Sequence, residues 1–291
     1  VVGVTGGGEA AGVVLAGGRS SRMGTAKAAL EWHGSTLLYR TTALLARTLD
    51  GPVVVVAAPG QNLPALPVGV EVVADPVEGR GPVQGIAVGL AAVGARAPRA
   101  FVCSTDMPFL HPAFVRCVLD ALASGADVAL PSARGFRQPL AAGYRTALAA
   151  LTAELVADGM LRPGMLFDRC TVEHLDDARL LADPDVARLD PDLDSVLNVN
   201  EPADYAAARC RKPAAVVVES VGAARRTVRA ATLAAAAAAI GLALDRHAAT
   251  LNGDPVDGDP QLPLVAGDAV AFRPVFGPAT GSARAGTRTG P

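Results

Sequence analysis

Val13-Val14-Leu15-Ala16-Gly17-Gly18-Arg19-Ser20-Ser21-Arg22-Met23-Gly24-Thr25-Ala26-Lys27 decides how this chain reads. Val13 to Ala16 is a short apolar run rich in β-branched residues, as in a strand covered on both faces. Gly17 and Gly18 let the backbone turn tightly and approach a ligand with no Cβ in the way. Backbone N–H groups in such a turn can form an anion-binding nest. Arg19, Arg22 and Lys27 add three positive charges within nine residues. Glycine amides and three cations together suit a polyphosphate. No Gly-Lys-Ser/Thr closes the loop, so it is not a Walker loop, and its glycines do not keep the dinucleotide spacing.

Working outward, the pattern alternates. Ser35 or Thr36 can cap a predicted helix reaching about Thr48. Valine-rich runs predict buried strands over residues 52–58 and 68–74, the latter ending at Asp75-Pro76. Pro82 suits the first turn of a predicted helix running to about Val93. A strand over 101–104 ends at Thr105-Asp106-Met107-Pro108, followed by a helix over 111–124 and a strand over 128–131. Residues 139–144 predict another strand and 146–158 another helix. Strands alternating with helices imply right-handed crossovers and an α/β fold, doubly wound about a mainly parallel sheet. Ligands of such sheets bind off the carboxyl ends of the strands. Gly17/Gly18, Asp75 and Asp106 each sit just past a predicted strand end. Asp106 is a candidate magnesium ligand, because Mg²⁺ takes hard oxygens and often one or two carboxylates plus substrate phosphates, and equally a candidate N-cap for the helix that follows.

Composition bounds the rest. The chain has 291 residues, 51% hydrophobic and 19% charged, with formal net charge −2. That is a globular composition, and nothing global favours nucleic acid or a membrane surface. Cys103, Cys117, Cys170 and Cys210 are widely spaced and show no zinc pattern. Free thiols in a reducing compartment are expected. Residues 1–12 lack the features of a secretory signal. Residues 230–244 are the nearest approach to a membrane span and are too short. The expectation is a cytoplasmic enzyme.

Leu15 to Gly24 followed by Lys27 resembles the signature of the molybdenum cofactor guanylyltransferase (MobA-like) family of nucleotidyltransferases. Phe101 to Pro108 resembles that family's strand ending in Asp-x-Pro. Gly81-Pro82-Val83-Gln84-Gly85 resembles its Gly-Pro-Leu-x-Gly stretch, and Gln138-Pro139-Leu140 its polar-Pro-Leu strand near the second substrate. Asn198-Val199-Asn200-Glu201-Pro202 resembles its closing motif, near metal and acceptor. The resemblance implies nucleotide binding by Leu15, Ala16, Gly17, Gly18, Lys27, Asp75, Gly81, Pro82 and Asp106. It implies catalytic roles for Lys27, Arg19, Arg22 and Asp106, with Asp106 on Mg²⁺. Gln138, Pro139, Asn198 and Asn200 would face the acceptor or a second metal. Members carry an aspartate before the lysine, where this chain has Ala26.

The remainder predicts a second unit. It reads as strands over 214–218 and 225–229, a helix over 233–244, a strand and turn over 249–256 and a strand over 266–272, and Leu251-Asn252-Gly253 and Ala266-Gly267-Asp268-Ala269-Val270 resemble the small β-grasp sulfur-carrier proteins of molybdopterin synthesis. Those end in Gly-Gly, whereas this chain runs on, so the fold is expected and the sulfur-carrier activity is not. The expected division is a flexible lead-in (1–12), a Rossmann-like nucleotidyltransferase domain (13–210), a small α+β, β-grasp-like domain (214–277) and a disordered tail (278–291). The implied activity is transfer of GMP from GTP to molybdopterin with release of pyrophosphate. Implied partners are those substrates and proteins of molybdenum cofactor biosynthesis or molybdoenzymes. Two alternatives stand beside it. One is a cytidylyl- or sugar-phosphate nucleotidyltransferase on the same fold. The other is a non-catalytic nucleotide-binding module presenting the β-grasp unit to a partner.

Overall fold

The computed structural model describes residues 8–17, 27–77 and 79–275. In chain order, β1 (Ala10–Leu15) precedes a 3-10 turn at Lys27–Ala29 and a hairpin of β2 (Glu31–Trp32) and β3 (Ser35–Thr36). Then come α1 (Leu37–Ala46), β4 (Val53–Ala57), β5 (Glu71–Ala74), α2 (Pro82–Val93), β6 (Arg99–Ser104) and α3 (Pro112–Asp120). They are followed by β7 (Val128–Ala133), β8 (Phe136–Arg137), β9 (Ala141–Arg145), α4 (Ala149–Ala157), α5 (Pro163–Phe167), β10 (Val172–Asp176), α6 (Asp177–Leu181), α7 (Pro184–Leu189) and α8 (Pro202–Cys210). A second unit holds β11 (Ala215–Ser220), β12 (Arg226–Arg229), α9 (Leu233–Ala239), β13 (His247–Leu251), β14 (Asp254–Val256) and β15 (Ala269–Pro274).

The large sheet runs β10-β7-β9-β6-β1-β4-β5, with β8 beside β7. β1 lies between β4 and β6 and is parallel to both. The run of β-branched residues makes this arrangement possible, because the strand alternates into two cores. Val14 joins Leu38, Leu44 and Phe114 on one face. Val13 and Leu15 join Val83, Ile86 and Leu90 on the other. Two strands run against their neighbours: β9, between β6 and β7, and the short β8 beside β7.

Several expected boundaries move. β1 begins at Ala10, so residues 10–12 belong to the sheet and not to the lead-in. The strand expected from residue 68 starts at Glu71 and is an edge, with Val68 fully exposed and Val72 half exposed. No helix follows β4 to cover it; the connection is loop containing Pro64 and Pro67. The strand expected from Pro139 starts at Ala141, because Gln138 and Pro139 make the turn into it, where the Ala141 N–H donates to the Gln138 carbonyl (3.1 Å). The helix expected to reach residue 244 ends at Ala239, and Gly241 two residues on takes φ +75°, a conformation that stops helices. The expected disordered tail lies outside the described residues.

The second unit is a five-stranded sheet in the order β12-β11-β15-β13-β14. Its first and last strands, β11 and β15, are parallel neighbours in the middle, and the other pairs are antiparallel. α9 closes a separate core of Val216, Val218, Leu233, Leu251, Val270 and Phe272. Among the described residues no helix is long and apolar enough to cross a membrane. The four cysteines are free thiols, as expected, although Cys210 is exposed.

Candidate functional site

The carboxyl ends of β1, β4, β5 and β6 open on one cleft of about 500 Å³. Leu15, Ala16, Gly17, Lys27, Asp75, Gly81, Pro82 and Asp106 all line it, together with Gly85, Ser104 and Leu140. Eight of the residues expected at the nucleotide are thus brought together from five separate stretches of chain. Gly18, Arg19 and Arg22 lie outside the described residues. Gly17 does not supply a free amide to a nest: its N–H donates to the Val56 carbonyl (3.2 Å). Its contribution is space, since a Cβ there would lie 3.3 Å from the Ala58 nitrogen.

The centre of the cleft is built from the end of β6. Ser104, the last strand residue, turns its hydroxyl onto the Asp106 carboxylate (Oγ to Oδ1, 2.5 Å). The Lys27 ammonium reaches the other oxygen (Nζ to Oδ2, 2.7 Å) and also the Asn200 amide oxygen (2.9 Å). The Asp106 carbonyl accepts from the Val199 N–H (2.9 Å), which ties the Asn198–Pro202 stretch to the loop after β6. Asp204 Oδ2 accepts from the N–H groups of Asn200 (3.2 Å) and Glu201 (3.0 Å) at the start of α8. Asn200 is therefore placed by a helix capping box.

Lys27 is carried by the hairpin that follows it. The Gly34 N–H closes the hairpin on Glu31 Oε1 (2.8 Å), with His33 and Gly34 both at positive φ. The hairpin is pinned to α8 by Tyr205, whose hydroxyl donates to the Glu31 carbonyl (2.5 Å), and by the Arg209–Glu31 ion pair (2.6 Å). Trp32, buried here, packs edge-on against Phe109 in the loop after Asp106.

Asp75 continues the β4–β5 ladder through its N–H to the Ala57 carbonyl (2.7 Å). Its carboxylate accepts from the Val77 N–H (3.2 Å) and from the buried Gln84 amide of α2. Gly81, at φ +96°, begins α2 where a Cβ would press on the Leu161 carbonyl. Gln138 and Pro139 do not line the cleft, and Leu140 does. The Asn198 amide turns back to the Val196 carbonyl (3.5 Å), away from the Lys27 contact that Asn200 makes. Sequence reasoning missed Ser104, Gln84, Glu31 and Tyr205. Ser104, two residues before Asp106 on a strand end, and Gln84, inside the Gly81–Gly85 stretch, carried a local signal.

A family model described as the MobA-like NTP transferase domain matches residues 12–235. A probable molybdenum cofactor guanylyltransferase of Mycobacterium avium is 39% identical over 180 residues, which is 60% of this chain and 89% of the relative. One of Mycobacterium tuberculosis is 42% identical over 162 residues, 54% of this chain and 79% of the relative. Among solved structures, molybdopterin-guanine dinucleotide biosynthesis protein A of Archaeoglobus fulgidus superposes with TM-score 0.53 at 21% identity, covering 68% of this chain and 96% of that one. That likeness speaks for the fold.

Proposed function

This chain belongs to the MobA-like NTP transferase family and is a nucleotidyltransferase, and from that premise we propose that it transfers GMP from GTP to molybdopterin with release of pyrophosphate. One observation carries the chemistry. The Lys27 ammonium sits between Asp106 Oδ2 and Asn200 Oδ1 at the strand ends, so two hard oxygens converge on one cationic point. The relatives' printed names carry the choice of molybdenum cofactor and guanine.

In this reading the acceptor's phosphate oxygen attacks the α-phosphorus of GTP as the bond to the β-phosphate oxygen breaks and pyrophosphate leaves. The nucleophile is already an anion, so positioning and charge neutralisation supply the catalysis. Asp106 and Asn200 have the donor chemistry to hold a divalent ion. Among the described residues no three His, Cys, Asp or Glu side chains converge into a metal cage. The remaining oxygens would come from phosphates and water, as suits Mg²⁺. When bound, that ion neutralises phosphate charge. Ser104 orients the Asp106 carboxylate, and Lys27 is placed to face charge moving onto pyrophosphate. Arg19 and Arg22 would add cations from the glycine loop, and Asp75 would contact the nucleoside. We place Gln138, Pro139 and Asn198 on the acceptor side. The strand order of the second unit, with its first and last strands in the chain paired in parallel inside the sheet, supports a β-grasp reading for residues 214–277.

The test incubates the full chain with Mg²⁺, molybdopterin and either GTP or CTP, and follows pyrophosphate release. Release with GTP is expected. Release with CTP alone, or only with a sugar phosphate as acceptor, would overturn the proposal.

A further inference from the structure

The two units meet around a second cavity, of about 410 Å³, which shares no lining residue with the nucleotide cleft. Trp32, Phe109 and Leu264 give it flat apolar walls, Arg40 lines it, and Arg211 and Lys212 stand exposed at its mouth. Arg40 is the unusual member. It projects from α1 and is buried, and its guanidinium donates only to main-chain carbonyls: Pro108 (2.9 Å), Ala231 (3.2 Å) and Leu264 (3.4 Å). Among the described residues it makes no ion pair. The carboxylate that acts on it from a distance, Asp268, is paired with Arg47 and accepts from Val265 and Asn252, so the buried charge is compensated only in part by that group and by carbonyl dipoles.

The acidic groups around the cavity are engaged elsewhere. Asp190 accepts from the N–H groups of Asp194 (2.7 Å) and Ser195 (3.2 Å). Asp194 is held by Arg134 (3.2 Å) and Arg211 (2.7 Å), and Arg211 also lies over the Phe109 ring (4.7 Å). Asp192 is exposed at the rim. His111 accepts at Nδ1 from the Ala113 N–H, with Nε2 on the Ala266 carbonyl, the pattern of a neutral ring. The charges left without carboxylate partners are Arg40 inside and Lys212 at the mouth. Pockets between domains with apolar walls and a few placed polar groups are where small ligands bind.

We propose that this interdomain cavity binds a small organic anion with a flat apolar body, its charged head on Arg40 and its body against Trp32 and Phe109. Trp32 is the chain's single tryptophan and lines the cavity, so its fluorescence reports occupancy directly. The full chain is titrated with phenyl phosphate, and separately with phenol and with inorganic phosphate, in saturating GTP so that the nucleotide cleft is occupied. A saturable change with phenyl phosphate is expected, with an affinity at least about tenfold above that for either fragment. Arg40→Met should abolish it, and Lys212→Glu, at an exposed position, should weaken it several-fold. If Arg40→Met does not fold, Lys212→Glu decides. No saturable change in the wild-type chain, equal binding of phenol, or unchanged affinity in Lys212→Glu would overturn the proposal and leave Arg40 as a clamp between the units.

Discussion

Lys27 and Asp106 stand 79 residues apart in the chain and 2.7 Å apart in space, so each holds the other's charge in the cleft. Asp106→Asn keeps the shape and the Ser104 contact but removes the charge. We expect a folded protein by circular dichroism and transfer too slow to measure at ordinary magnesium. Lys27→Ala should slow pyrophosphate release by about a hundredfold or more, the scale of losing one preorganised electrostatic contact. A loss below about tenfold, or roughly 1.4 kcal/mol, would make Lys27 a bystander. Asp190 offers a pH test. Burial raises its carboxyl from 3.8 to about 6, against hydrogen bonds from Ser195 and Asp194 that lower it. The folded state then holds a proton that the unfolded chain releases between those values, so this group's contribution to stability falls as pH rises through that window. Relative to Asp190→Asn, the wild-type chain should lose on the order of 2 to 3 kcal/mol between about pH 4 and pH 7. Parallel thermal melts across that range check it. Asp75 and Asp106 were legible in the sequence because each ends a hydrophobic run. Asp190 was not, since it ends the short helix α7 in a stretch without a strong hydrophobic run, and its burial is set by packing.

At the scale of elements, α2 is set against β1 by glycines one turn apart. Gly85 lies over Leu15, and a Cβ at Gly89 would overlap the Val13 side chain. Gly89→Ala should therefore cost about 1 to 3 kcal/mol by overpacking, although alanine is the better helix former. Val13→Ala in the same protein should recover part of that loss, a coupling that a double-mutant cycle in urea measures. α2 itself was legible, with Pro82 in its first turn and an end expected near Val93, because proline and apolar spacing are local signals. β5 was misjudged as buried because valine content reports strand preference and not which strands end as an edge. Residues 159–196, with α5, β10, α6 and α7, have weak periodicity and gave no reading. Their places depend on pairing β10 with β7, more than forty residues earlier in the chain.

At the scale of the whole molecule, two arginines, one on α1 and one at its C-cap, join the units. Arg40 donates to carbonyls of Ala231 and Leu264, and Arg47 pairs with the buried Asp268 (3.0 Å). Asp268 also accepts from the Val265 N–H (2.8 Å) and the Asn252 amide (3.0 Å), so the same carboxylate folds the Ala266–Val270 turn and docks it. Val265 belongs to the core of the large sheet, although it comes from the second unit. None of this could be read from the linker Arg211-Lys212-Pro213, which has the composition of a loose boundary. Removing residues 213–291 would expose the Val265 site and return Arg40 and Arg47 to water, where they are well solvated. The two cores flanking β1 otherwise draw on residues before that point. We therefore expect residues 1–212 to fold and to keep GTP-dependent pyrophosphate release, with a thermal midpoint lower by several degrees, as loss of about 1 to 2 kcal/mol would give. Asp268→Ala in the full chain should lower the midpoint at least as far, because it leaves the largely covered Arg47 without its counter-charge and the Val265 N–H without its acceptor. If the truncated chain aggregates, or melts normally without turnover, the second unit is part of the catalytic domain, and the Lys27 hairpin, whose Gly34 lies against Thr232, is the place where its loss would be felt.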